Sequence, residues 1–217
     1  MNRRFPPAAA ALAAAGALLL TACGGGDTKA EEHERNTASS DGAKTSAPRP
    51  KEPSGPAGGP EISLPKDVRY RFDWPETGDA DKDAVLRDGE GFIKATDMAI
   101  AEQDPLHKAY RFYSEGKMSA STQSFVKQYA DHKQRTTGFY RFYDAKATLL
   151  KSGTASLTYC EDQSRAFRKS IKTNKVYKTP VTKISYVLYN TRLRQGDNGI
   201  WLTTGMTSQR GAAACQP

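Results

Sequence analysis

The chain has 217 residues, 26% of them charged and 37% hydrophobic, with 32 Lys and Arg against 24 Asp and Glu. That length holds one ordinary domain and a remainder, and a mean hydropathy of -0.68 excludes a polytopic membrane protein and predicts a stretch unable to bury a core. Three Cys and three His exclude a dense disulfide scaffold and a four-cysteine zinc module.

Met1-Asn2-Arg3-Arg4 is positive, Ala8 to Leu20 is an apolar run of 13 residues, and Leu20-Thr21-Ala22-Cys23 closes it. This three-part order predicts a signal peptide over residues 1–22. Rising ~1.5 Å per residue, so short a run does not cross ~30 Å of hydrocarbon, which disfavours a permanent spanning helix. Leu20-Thr21-Ala22-Cys23 resembles the bacterial lipobox, whose cysteine receives a diacylglyceryl thioether and becomes the mature N-terminus. The resemblance implies lipidation at Cys23 by palmitate-type chains and a protein held on the outer face of the cytoplasmic membrane. Each buried methylene contributes about 0.8 kcal/mol, so two or three acyl chains attach it durably.

From Gly24 to Glu61 there is no Val, Ile, Leu, Met, Phe, Tyr or Trp. Residues 23–61 therefore read as the lipidated cysteine and a disordered tether, with a typical coil span of roughly 30 to 35 Å. Residues 62–217 hold 25 basic and 17 acidic side chains. Outside the cell such a balance reads first as a soluble basic surface; the functional alternative is an anionic partner such as lipid headgroups or an anionic wall polymer, and an envelope protein or a small ligand are further candidate partners. Nucleic acid is not expected, since no recognition motif is present.

Within residues 62–217, Asp79 can cap a helix in which Val85, Leu86, Phe92, Ile93, Ala95, Thr96, Ala99 and Ile100 recur at helical spacing until Asp104-Pro105. Gly89 and Gly91 weaken it. A short helix is expected from Pro105 to Tyr113, and a third from Ser119 to about Arg135, with Phe125, Val126 and Tyr129 inward and Thr136-Thr137-Gly138 as its end. After Gly138 the period shortens, and 139–150, 154–160, 176–193 and 200–207 read as antiparallel strands. Helices followed by strands predict an α+β domain, with helices on one face of a curved antiparallel sheet and no parallel βαβ topology.

Trp74-Pro75-Glu76-Thr77-Gly78-Asp79, Thr136-Thr137-Gly138, Tyr143-Asp144, Tyr159-Cys160-Glu161-Asp162-Gln163-Ser164 and Arg210-Gly211-Ala212 resemble small lipoproteins of high-GC Gram-positive bacteria, the actinobacteria. Their helices-then-sheet order is similar to the cone-shaped nuclear-transport-factor-2-like fold, whose sheet wraps around a pocket. That resemblance implies fold and compartment and carries no activity.

Cys160 and Cys215 are the cysteines left after lipidation, an even number in an oxidising compartment, and are expected to pair as a disulfide; a reactive Cys160 thiol is the alternative. Tyr159, Glu161 and Asp162, at an expected strand end, are the candidate ligand-binding residues. In a cone pocket such carboxylates can act as general bases, as they do in polyketide cyclases of this fold. Asp162 followed by Ser164 reads equally as a turn or helix cap. His107 and His132 lie among charged neighbours without metal-ligand spacing and are expected at the surface. No metal site, cofactor or catalytic residue is assigned. The leading expectation is a tethered, non-enzymatic binding or scaffold domain. The alternative is a small-pocket enzyme of the polyketide-cyclase or isomerase type, which an enclosed cone with Asp or Glu beside His or Tyr favours over a filled one.

Overall fold

The computed structural model describes residues 58–217; the signal peptide, Cys23 and nearly all of the tether lie outside the described residues. The elements run β1 (Val68–Asp73), α1 (Ala80–Glu102), α2 (Lys108–Phe112), α3 (Gly116–Asp131), β2 (Gln134–Leu149), β3 (Thr154–Ser170), β4 (Val176–Tyr177), β5 (Tyr186–Gln195) and β6 (Trp201–Arg210), with 3-10 turns at Lys183–Ser185 and Ala213–Cys215. The domain is α+β, with three helices ahead of most of a curved, mainly antiparallel sheet of order β1-β2-β3-β5-β6, β4 pairing β3. Among the described residues no helix is long and apolar enough to cross a membrane.

Asp79 stands in extended conformation and accepts from the backbone N–H groups of Asp81 and Lys82 at 3.1 and 3.2 Å, which starts α1 as expected. The helix ends at Gln103, whose left-handed backbone precedes Pro105. Gly89 and Gly91 cost helix propensity, and tertiary packing explains them. A Cβ at 89 would lie 2.5 Å from Leu157 Cδ2 and one at 91 would lie 2.6 Å from the Tyr113 ring, so only glycine lets α1 approach the sheet and α2 this closely.

Four expectations are corrected. First, a parallel connection is present where none is expected: Val68, Tyr70 and Phe72 alternate with Arg69 and Arg71 at strand period and form β1 ahead of the helices. It pairs with β2 in parallel, because the three helices between them carry the chain back to the same end of the sheet. Second, α3 ends at Asp131, and Arg135 to Gly138 belong to β2. Lys133, at φ 50°, turns the chain between the two. Thr122 and Val126 carry the buried face of α3, leaving Phe125 exposed and Tyr129 only partly covered. Third, β3 does not stop at Cys160 but continues to Ser170, because both of its edges find partners in β2, β4 and β5. The 176–193 stretch is instead broken into β4 and β5 around Pro180, which has no N–H to give to a ladder. Fourth, His107 is buried: its Nδ1 accepts from Ala109 N at 3.1 Å as the cap of α2, and its Nε2 lies 2.9 Å from Glu102. His132 is exposed.

The triplet Tyr-Arg-Phe occurs at 70–72, 110–112 and 140–142, and the first and last copies stand side by side. Tyr70 opposes Tyr140 and Phe72 opposes Phe142, the latter rings stacked at 4.5 Å, while Arg71 and Arg141 on the other face both reach Asp73 at 2.6 Å. These aromatics, with Val85 and Leu86 of α1, Leu157 of β3 and Trp201 of β6, form one core cluster. A second joins Phe92, Ala95, Ala99 and Ile100 of α1 to Tyr110, Tyr113 and Val126. The ladder between β2 and β3 shifts register at Phe139/Arg141 and again at Tyr143/Lys146, and such bulges bend these two long strands. Asp67, just before β1, accepts from Arg135, Thr137 and Lys169, and the Arg135 guanidinium holds its carboxyl far below the usual range.

Cys160 and Cys215 are joined as a disulfide with Cα atoms 5.5 Å apart. Around it lies a third, small cluster with Ala212, Tyr143, Tyr186 and Leu188, and the Tyr143 hydroxyl donates to the Cys215 carbonyl. Cys160 alternates with Tyr159 and Glu161 along β3, so the staple sits on the opposite face of the sheet from them.

Candidate functional site

The bent sheet and the helices line a half-open cavity of about 610 Å³, within the range of small-molecule sites. Its walls come from Phe92, Ile93, Thr96 and Asp97 of α1, Met118, Thr122 and Tyr129 of α3, Tyr140 and Phe142 of β2, Tyr159, Glu161 and Gln163 of β3, Tyr189 of β5, and Met206, Ser208 and Arg210 of β6. The strands present these side chains through period-two alternation: Tyr140 with Phe142, and Tyr159 with Glu161 and Gln163.

The structure therefore brings Tyr159 and Glu161 together in the cavity. Asp162 points the other way, as its neighbour in an extended strand must, and its Oδ1 accepts from Ser164 N at 2.8 Å. That contact is a local one inside a strand, and no helix begins there. Sequence reasoning missed Asp97. With Ile93, Thr96 and Ile100 it falls at positions i, i+3, i+4 and i+7 of α1, so a carboxylate on the apolar stripe of an amphipathic helix was the available signal.

Two carboxyls thus share one largely apolar chamber, and burial penalises the charge of each. Glu161 is pushed up to about 7 by burial, with the Asp97 charge adding to the rise, while Tyr189, Gln163 and Arg210 offset part of it. Gln163 Nε2 donates to Glu161 Oε2 at 2.9 Å and its Oε1 accepts from Arg210 at 2.9 Å, which links the buried acid to a cation at the cavity edge. Burial raises Asp97 to about 6, although Tyr70 donates its hydroxyl proton to Asp97 Oδ2 and Thr136 lies beside it. Tyr70, Tyr140, Tyr159 and Tyr189 are all held well above their ordinary 10 by burial, reinforced by these carboxylates, so their hydroxyls stay protonated as donors. The chemistry on offer is apolar walls, fixed phenol donors, and two acids that exchange a proton near neutrality. Among the described residues no group of three or more His, Cys, Asp or Glu is arranged to hold a metal ion.

No family model matches the chain, and no curated protein does either. Among solved structures, the intermembrane-space region of the chloroplast protein ARC6 is similar over 63% of this chain and 99% of its own, at 12% identity and a TM-score of 0.41. A structure from Catenulispora acidiphila is similar over 42% of this chain and 58% of its own, at 7% identity and a TM-score of 0.29.

Proposed function

We propose that this chain is an actinobacterial lipoprotein whose nuclear-transport-factor-2-like domain works through its cavity, taking up a small organic molecule at the outer face of the cytoplasmic membrane. The observation that carries the reading is the pairing of Asp97 and Glu161 inside one aromatic chamber of about 610 Å³. A scaffold gains nothing from two acids placed where their ionisation costs stability. A bound molecule with an apolar body and a hydrogen-bonding or basic end recovers that loss. Native mass spectrometry of protein released from its own membrane tests this. A stoichiometric organic ligand is expected, retained by the wild type and lost in Ile93→Trp, which narrows the cavity. An empty cavity in every preparation, with no uptake of an apolar dye, returns the domain to a scaffold.

Catalysis is the second reading, and the position of Glu161 near 7 favours it specifically, because a general base works best when its pKa lies close to ambient pH. Its carboxylate would take a proton from a bound carbon acid while a neighbouring phenol donates to the developing oxyanion. Ring opening of 5-nitrobenzisoxazole reports carboxylate bases in apolar pockets. The rate is expected to rise with pH through a midpoint near 7 and to vanish in Glu161→Gln. Turnover no faster than buffer, with the dye still bound, leaves the pocket as a binding site alone.

Membrane attachment rests on Leu20-Thr21-Ala22-Cys23. Cys23→Ser is expected to abolish acyl-label incorporation and release the protein from the membrane fraction. Retention of a label-free protein there would defeat the anchor.

A further inference from the structure

From Gln163 to Gly196 the chain carries nine Lys and Arg and no Asp or Glu. At the centre of that run is the excursion between β3 and β5, in which residues 171–184 are all exposed. Of the eight large hydrophobic side chains exposed among the described residues, five are here: Ile171, Val176, Tyr177, Val181 and Ile184, the last two at 59% and 61%. Lys172, Lys175, Lys178 and Lys183 interleave with them. At the borders of the run Lys169 and Arg194 are neutralised by Asp67 and Glu115, whereas the four lysines of the excursion meet no carboxylate among the described residues.

We infer that the 171–184 excursion is a membrane-docking element that seats its apolar side chains among the lipids of an anionic bilayer surface. Single apolar side chains alternating with lysines match an environment that is apolar below and anionic above, because each lysine stem lies along the hydrocarbon boundary while its ammonium meets headgroup phosphate. A protein partner fits less well, since the cores of protein interfaces are depleted in Lys and present contiguous apolar area. The absence of any acid across the run removes the repulsion that a negative surface would otherwise meet. This surface does not depend on Cys23, and two of its residues, Tyr177 and Thr179, also line the rim of the cavity.

The full chain carrying Val181→Trp, reconstituted in vesicles of phosphatidylcholine with brominated phosphatidylglycerol, gives the test. Val181 is exposed, so the change leaves the fold intact, and Trp74 and Trp201 supply the constant background. The added tryptophan is expected to be quenched in these vesicles. In vesicles of brominated phosphatidylcholine alone the quenching is expected to be weak. Raised salt should reduce it through screening. Lys175→Ala, Lys178→Ala and Lys183→Ala together are expected to lower the docked-to-free ratio roughly a hundredfold, at about fivefold per lysine. Quenching equal to that of protein without the Val181→Trp change overturns the proposal. So does protection of the excursion from protease in native envelopes but not in vesicles, which assigns the surface to an envelope protein.

Discussion

Converting Cys160 or Cys215 to Ala is expected to destabilise the domain by about 4 kcal/mol, lowering its melting temperature by roughly 10 °C. The bond closes a sequence separation of 55 residues, and opening it returns that loop entropy to the unfolded chain. The effect in the folded state is local, because β3 is paired on both sides while the 3-10 turn at Ala213–Cys215 rests on little beyond its small cluster. The two single variants and the double variant should therefore melt close together, since each removes the same crosslink. Calorimetry of the three decides this, together with a thiol titration of the unfolded, unreduced wild type, which should find neither Cys160 nor Cys215 free. Two unequal single variants, or two titratable thiols in protein from its native compartment, would return Cys160 to the role of a reactive thiol. Ligand uptake should survive the loss of the bond, because the staple and the cavity occupy opposite faces of the sheet.

Stability is expected to fall as pH rises from about 5 to about 8, and Glu161→Gln is expected to remove much of the fall. Glu161 moves from 4.5 to about 7 on folding. Between those values the folded state binds more protons than the unfolded state, so each step up in pH favours unfolding. The cost is absent below the unfolded value and complete above the folded one. At about 1.4 kcal/mol per unit it reaches roughly 3 kcal/mol. Glu161→Gln should thus be near neutral at pH 4 and stabilising by up to that amount at pH 8. Asp97, raised from 3.8 to about 6, adds a fall of the same sign over a lower window. The Asp97 charge adds to the rise of Glu161, so Asp97→Asn also draws the Glu161 transition downward. Asp67 acts in the opposite sense: its carboxyl is depressed by Arg135 and Lys169, and the stability it confers is lost as pH falls below the ordinary carboxylate range. A stability maximum near pH 4 follows, between the loss of the Asp67 contribution below it and the onset of the Asp97 and Glu161 costs above it. Chemical denaturation of the wild type and the two variants across pH measures it. A flat profile between pH 5 and 8 would show both carboxyls to be solvated, and the cavity with them to be open to water.

What the linear sequence determined here is what short-range physics controls. The stretch from Gly24 to Glu61 without a large apolar side chain and the order of helices before strands follow from composition and hydrophobic period. So does the Asp79 cap, which needs only the N–H groups of Asp81 and Lys82. The disulfide was legible by arithmetic, as two cysteines left in an oxidising compartment. Pairing between distant strands decided the rest. The parallel union of β1 with β2 depends on where three helices return the chain, which no local pattern states. β3 runs on through Glu161, Asp162 and Gln163 because partners on both sides satisfy its backbone, overriding the polarity that reads as a strand end. That continuation sends Glu161 inward and Asp162 outward. Asp97 and Glu161 are 64 positions apart in sequence, and only the folding of α1 over a bent sheet places both acids in one apolar chamber, where burial raises them together.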